Sequence, residues 1–148
     1  KKARPELYFV SLIVRDETGA VLLELQTAKG VWQDLWTPPC VPCHGDVNSS
    51  EVRRLIEPVL IQHGLEMFED LLLEQAKSLH RQSWLVHELT HRKMHFKVLS
   101  LKVPKAMEGC CPVTAKPVPK IVHKLMAQLD LLGGSGQAAV SQQDTLDF

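Results

Sequence analysis

Residues Trp84–Val103 read WLVHELTHRKMHFKVLSLKV. Trp84-Leu85-Val86 is a short apolar run. Met94, Phe96, Val98, Leu99, Leu101 and Val103 fall mostly on alternate positions, the period of a half-buried strand. Between them lie His87, Glu88, Leu89, Thr90, His91, Arg92 and Lys93. This turn holds no Gly or Pro and is instead crowded with donors and positive charge, an unusual use of a connection. The stretch predicts two strands joined by a polar turn. His87, His91 and His95 recur every four residues, which on a helix would form one metal-binding face. On a strand that spacing does not converge, so polar recognition by His87 and His91 is the better use, and His95 is incidental.

Charge follows the same stretch. Formal net charge is zero, yet residues 81–105 hold Arg81, Arg92, Lys93, Lys97, Lys102 and Lys105 against Glu88, a local +5. Residues 51–74 hold six acidic residues against Arg53 and Arg54, a local −4. A basic face on a neutral protein is compatible with contact to a polyanion, and equally with a strand edge protected by lysines.

Working outward, Leu7–Val14 (LYFVSLIV) is apolar on both faces and predicts a central, doubly covered strand. Asp16-Glu17-Thr18-Gly19 is a hairpin turn with Gly19 suited to positive φ, and residues 20–25 form the returning strand. Residues 29–42, with Trp32, Trp36, Pro38, Pro39 and Pro42, predict an irregular loop locked against the sheet by its aromatics, in which Pro38-Pro39 rules out ordinary strand or helix. Asn48-Ser49-Ser50-Glu51 starts a helix, with Asn48 the N-cap. Val52, Leu55, Ile56, Val59 and Leu60 form its apolar stripe, Pro58 should kink it or end its first half, and Gly64 stops it. Residues 65–77 are ambiguous between a short helix and a connection. Residues 104–112 predict a loop. Val118, Ile121, Val122, Leu125, Met126, Leu129 and Leu132 predict a second amphipathic helix, with Pro119 in its first turn and Gly133-Gly134 closing it.

These elements give an α/β sandwich with a mixed sheet, one domain by length. The chain is 45% apolar and 23% charged, ordinary for a globular protein. No apolar run approaches the roughly 20 residues of a membrane span, so no membrane partner is expected. The start, KKARPE, lacks the apolar region of a signal peptide, and such abrupt ends suggest a piece of something longer.

Cys40-Val41-Pro42-Cys43-His44 has C-x-x-C spacing, but Cys110-Cys111 is a poor second pair for a tetrahedral ion; reduced thiols, with no metal, are expected. Residues 45–65 invite comparison with the Nudix box, G-x5-E-x7-R-E-(apolar)-x-E-E-x-G-(apolar). Gly45, Glu51, Gly64 and Leu65 fit its ends if two residues are deleted between. Counting back from Gly64, the positions of R-E-(apolar)-x-E-E hold Glu57, Pro58, Val59, Leu60, Ile61 and Gln62. Magnesium-assisted pyrophosphate hydrolysis needs several carboxylates on one helical face. This looks like a Nudix-type fold with its hydrolase centre erased, so no catalytic residue is assigned.

After a low-complexity Gly/Ser spacer, Gln143, Leu146 and Phe148 resemble the start of the short motif that docks into the replication sliding clamp (PCNA). That motif runs Gln-x-x-(aliphatic)-x-x-aromatic-aromatic, and Phe148 stands one position short of its first aromatic.

Three segments together resemble the C-terminal domain of adenine DNA glycosylase, the MutY family. Gly30–Pro39 is similar to the family's G-L-(L/W)-x-G-L-W-x-F-P loop, Val86–Met94 to its V-H-x-F-S-H-x-K-L stretch, and Pro112–Pro117 with the following helix to its closing A-V-S-T-A-M helix. The resemblance spans roughly residues 5–130. It implies a Nudix-like α/β/α sandwich with a mixed β-sheet over residues 7–132; composition adds a polar linker over 1–6 and a flexible tail over 133–148. The resemblance also implies a role in recognising 8-oxoguanine opposite adenine in duplex DNA during base excision repair. The family's Phe-Ser-His maps onto Leu89, Thr90 and His91: an apolar wedge, a hydroxyl toward the oxidised base and a second polar contact. Leu89 stands where the family has an aromatic; Thr90 keeps the hydroxyl. Arg92, Lys93 and Lys97 would hold phosphates. Adenine excision, with its iron–sulfur cluster, belongs to a separate helical domain of the family. No cofactor is expected in this chain, and the compartment implied is the nucleus, with the mitochondrion a second. Two other readings stand beside this one: a Nudix-type nucleotide pyrophosphohydrolase, and a non-catalytic interaction module.

Overall fold

The computed structural model describes residues 4–133. Along the chain the strands are β1 (Glu6–Arg15), β2 (Val21–Leu22), β3 (Glu24–Leu25), β4 (Trp36–Thr37), β5 (Cys40–Cys43), β6 (Leu85–Glu88), β7 (Lys93–Lys102) and β8 (Cys110–Cys111). The helices are α1 (Ser49–His63), α2 (Glu69–Ala76) and α3 (Lys120–Gly133). Six strands bond in the order β6-β7-β1-β2-β8 with β5 also beside β1, while β3 and β4 form a separate pair. β1 pairs antiparallel with β2 and β5, as do β6 with β7 and β2 with β8. β1 and β7 run parallel: Lys93 N–H donates to Pro5 C=O and Val103 N–H to Arg15 C=O, the same offset at both ends. The sheet is mixed and the class α/β, as expected from sequence.

By their contacts the described residues divide into two compact units, residues 4–12 with 40–101, and residues 13–39 with 102–133. In the first, the strand expected over Met94–Val103 is present but covered on both faces. Met94 to Leu99 are all buried, His95 and Lys97 included. Where β6 ends, two glutamines take over its role. The Gln82 amide bonds both backbone groups of Val98, and that of Gln75 both of Ser100, so this stretch of β7 is not left with bare polar groups. The helix start is as read: Asn48 Oδ1 accepts from Glu51 N–H at 3.0 Å, and Gly64 ends α1 at φ 68°. Pro58 neither ends nor halves this helix, which continues to His63. Pro58 is exposed, as is Arg54, whose carbonyl would have received its N–H; the lost bond therefore faces water. The ambiguous segment contains α2.

In the second unit the Asp16–Gly19 turn forms as expected, with Gly19 at φ 86°. Asp16 Oδ1 accepts from Thr18 N–H (2.9 Å), Thr18 O–H (2.6 Å) and Ala20 N–H (3.2 Å). These bonds hold the Asp16 carboxyl below its ordinary value, although burial acts in the opposite sense. The single returning strand expected over residues 20–25 is two. Leu22 and Leu23 are both buried, which breaks the alternation, and Glu24-Leu25 turns away to pair with Trp36-Thr37. α3 begins at Lys120, just past Pro119, and buries Ile121, Val122, Leu125, Met126 and Leu129.

Two stretches expected to be loop hold strands. β4 and all but the last residue of β5 lie within residues 29–42, and β8 within 104–112. Pro38 and Pro39 do stand outside strand and helix, between β4 and β5. Pro42 sits in β5, which among the described strands pairs with β1 alone, an edge position of the kind where proline is tolerated.

Candidate nucleic-acid interface

The β6–β7 hairpin positions the residues singled out from sequence. Its register is Leu85↔Phe96, Val86↔His95, His87↔Met94 and Glu88↔Lys93. One backbone bond closes the loop, Leu89 N–H to Arg92 C=O at 2.8 Å. Thr90 and His91 form the tip, and both side chains are exposed. Leu89, Arg92 and Lys93 are half-buried around the base of the loop. Five of the six residues expected to face DNA are thus gathered at one loop. A hydroxyl that can both donate and accept stands beside an imidazole, with two cations flanking them.

Lys97 is the exception and corrects the expectation that it holds a phosphate. It is only 6% exposed. Its Nζ donates to Leu79 C=O at 3.1 Å and lies 4.7 Å from the centre of the Trp84 ring. Burial lowers the pKa of this ammonium, with the Cys43 thiol acting the other way. The period of two explains the error. Lys93, His95 and Lys97 share one face of β7, and three helical segments, the turn at Glu66–Phe68, α2 and the turn at Leu79–Arg81, come between Gly64 and β6. The backbone of the last of these accepts the Lys97 ammonium.

His95, set aside as incidental, is buried in an aromatic and charged cluster. Its Nε2 is 2.9 Å from Glu6 Oε1, its ring stacks on Tyr8 at 4.4 Å and 13°, and Trp84 meets it edge-on at 6.3 Å. The signal available in sequence was the alternation Lys93-His95-Lys97, which places this histidine on one face with Trp84. Beside the cluster, a cleft of about 400 Å³ is lined by Glu6, Tyr8, Pro42, Cys43, His44 and Gly45, among others. Gly45 permits the close approach there, since a Cβ would come within 3.2 Å of the Tyr8 ring.

Three consecutive residues before and at the start of β1 reach the hairpin. Arg4 Nη1 donates to Leu89 C=O at 2.8 Å, and its Nη2 pairs with Glu88 Oε1. Pro5 C=O accepts from Lys93 N–H at 2.9 Å, and Glu6 meets His95. Nothing in the sequence pattern pointed to Arg4.

Cys40 and Cys43 are an odd number of residues apart on β5, facing Ser11 and Tyr8 across the ladder, so the two thiols lie on opposite faces. Burial pushes the Cys43 thiol up to about 11. Among the described residues no group of three or more His, Cys, Asp or Glu side chains could hold a metal ion. On α1, Glu51 lies within 4.0 Å of Arg54, and Glu57, Pro58, Ile61 and Gln62 are exposed. Gln143, Leu146 and Phe148 lie outside the described residues.

No family model matches the chain, and no curated protein matches it in sequence. Among solved structures it is similar to the C-terminal domain of mouse MUTYH, seen in complex with human PCNA, at a TM-score of 0.48 and 17% identity. That match covers 87% of this chain and 90% of the mouse one. It is also similar, at a TM-score of 0.39 and 18% identity, to a bifunctional NMN adenylyltransferase/ADP ribose pyrophosphatase from Francisella tularensis complexed with AMP and a Mn ion. Here 76% of this chain matches 32% of the bacterial one, about a third of its length.

Proposed function

We propose that this chain is a Nudix-like, non-catalytic lesion-recognition domain of an adenine DNA glycosylase, reading 8-oxoguanine opposite adenine in duplex DNA. The observation that carries the reading is the tip of the β6–β7 hairpin, where Thr90 and His91 are exposed together with Arg92 and Lys93 beneath them. Oxidation gives guanine a carbonyl at C8 and turns N7 from an acceptor into an N–H donor. A reader of that edge needs a group that accepts from N7–H and one that donates to O8. The Thr90 hydroxyl can do either, and a ring nitrogen of His91 supplies the second contact. Leu89 provides an apolar shoulder beside the base. Arg92 and Lys93 supply affinity without sequence information.

Cleavage of the adenine is assigned to a separate domain of the parent protein, and docking on the sliding clamp to Gln143, Leu146 and Phe148. The nucleus, and the mitochondrion as a second compartment, is where such a substrate would be met. The hydrolase alternative has little to work with on α1, where Pro58, Ile61 and Gln62 stand in place of the carboxylates a magnesium ion requires.

Binding to three duplexes that differ only in the reading position (8-oxoguanine:adenine, guanine:adenine and guanine:cytosine) tests the reading. Thr90→Ala with His91→Ala is expected to cut the preference for the oxidised base by roughly tenfold, the worth of one to two base-edge hydrogen bonds. Equal weakening on all three duplexes would leave the tip as a phosphate contact and end its role as reader.

A further inference from the structure

The connection from Glu88 to Lys93 is four residues, Leu89–Arg92, and holds no Gly, Asn or Asp of the kind that pins a tight hairpin turn; none of the four has a positive φ. One backbone bond closes this loop. Its geometry is therefore not fixed by its own sequence, and what fixes it comes from outside. Arg4 occupies the Leu89 carbonyl and the Glu88 carboxylate on the β6 arm; Pro5 and Glu6 hold Lys93 and His95 on the β7 arm. Three successive residues thus attach to both arms of one loop. The hydrogen bond from Arg4 also holds the exposed Glu88 carboxyl below its ordinary pKa.

We propose that Arg4 is a positioning residue for the β6–β7 tip, and that the segment Arg4–Glu6 sets where Thr90 and His91 stand when a base is read. This rests on the reading of the tip given above. Arg4 touches no base in this role. It acts by holding the Leu89 carbonyl and the Glu88 side chain in place, so the readers arrive already placed and less of their binding energy goes into ordering the loop. The competing role for an exposed arginine beside a basic loop is direct contact with a phosphate. The two roles differ in what they predict.

The test uses the 148-residue chain and its Arg4→Ala, Arg4→Lys and Glu88→Gln variants, with two readouts: amide exchange at Leu89 and Lys93 without DNA, and affinity for 8-oxoguanine:adenine and guanine:adenine duplexes at several salt concentrations. Positioning predicts that Arg4→Ala speeds exchange at both amides by about fivefold, the worth of one net hydrogen bond. It predicts a comparable loss of preference for the oxidised base with the salt slope unchanged. Arg4→Lys, which keeps the charge but not the guanidinium fork, should not restore that preference. Glu88→Gln should weaken it too. A phosphate contact predicts the reverse: equal weakening on both duplexes, a salt slope smaller by about 0.9, rescue by lysine, and tighter binding in Glu88→Gln, where the guanidinium is released. That pattern, or unchanged exchange in Arg4→Ala, overturns the proposal. If wild type shows no preference between the duplexes while Arg4→Ala still speeds exchange, the clasp stands and the lesion reading falls.

Discussion

Lys97 offers the sharpest test of the fold against the sequence, because the two place its ammonium in opposite environments. On a basic strand edge, trimming it would change stability by no more than about 0.5 kcal/mol and would reduce the salt slope of DNA binding by about 0.9. In the structure, Lys97→Ala removes a charge-assisted bond to Leu79 C=O, worth about 1.5–3 kcal/mol, from a carbonyl in a buried residue. It removes the contact with the Trp84 ring, worth about 0.5–2 kcal/mol. It also removes three packed methylenes, at about 0.8 kcal/mol each. Against these stands relief of the cost of keeping an ammonium from water, itself a few kcal/mol. The net is a loss of about 2–3 kcal/mol, or roughly 6–10 °C in Tm for a chain of this length. Lys97→Met, which keeps the stem, should lose about 1 kcal/mol. Urea midpoints at constant m-value measure the first quantity, and binding to a plain duplex at several salt concentrations the second. A neutral effect on stability with a reduced salt slope would refute the buried placement, and with it the packing of β7 against the Leu79–Arg81 turn.

Two further outcomes follow from the helix and the thiols of the same unit. Pro58→Ala should raise stability by about 1 kcal/mol, because it returns an N–H to the α1 ladder and a better helix former to an exposed site, partly offset by a freer unfolded chain. An unchanged urea midpoint would mean the helix has already relaxed around the proline. In the unfolded chain Cys43 ionises near its ordinary 9.0, whereas in the folded protein burial, reinforced by Glu51 and opposed by Lys97, pushes it up to about 11. The folded state therefore keeps a proton that the unfolded state gives up, and stability complete below about pH 9 declines as the pH rises toward 11. Wild type should lose ground to Cys43→Ala across that window, as read from urea midpoints at each pH; a constant difference would place the thiol in water.

What the sequence made legible was set by periodicity and by end signals. The run over Leu7–Val14 is apolar at nearly every position, and a strand covered on both faces has few other solutions; β1 is that strand. Asn48 and Gly64 mark the ends of α1 because their chemistry is local: a side chain reaching Glu51 N–H, and a backbone at φ 68°. Pro38 and Pro39 keep strand and helix away as expected, whereas Pro58 was read too strongly, since a missing N–H matters most where its partner carbonyl is shut off from water. Pro42 lies in a strand paired on one side, and Pro58 lies opposite water. The short strands β4 and β8 had no periodic signal to give, since two residues cannot display a period.

The candidate site divides along the same line. Thr90 and His91 were legible because a polar turn without glycine is odd in itself, and exposure is the default for such residues. Lys97 and His95 were not, because their fates depend on elements distant in sequence: the turn at Leu79–Arg81 for one, Glu6 and Tyr8 for the other. Arg4 is the extreme case, 84 and 85 residues from the groups it holds. The same physics makes such a residue consequential. A reader placed by its own turn sequence would tolerate any change outside the turn. A tip with one closing bond and no positive φ takes its position from whatever holds its carbonyl and its flanking carboxylate. On the proposed reading, base recognition would therefore be sensitive to a residue that no inspection of the loop would single out, and a charge change at Arg4 or Glu88 should alter base selectivity while Thr90, His91 and the strands beneath them remain intact.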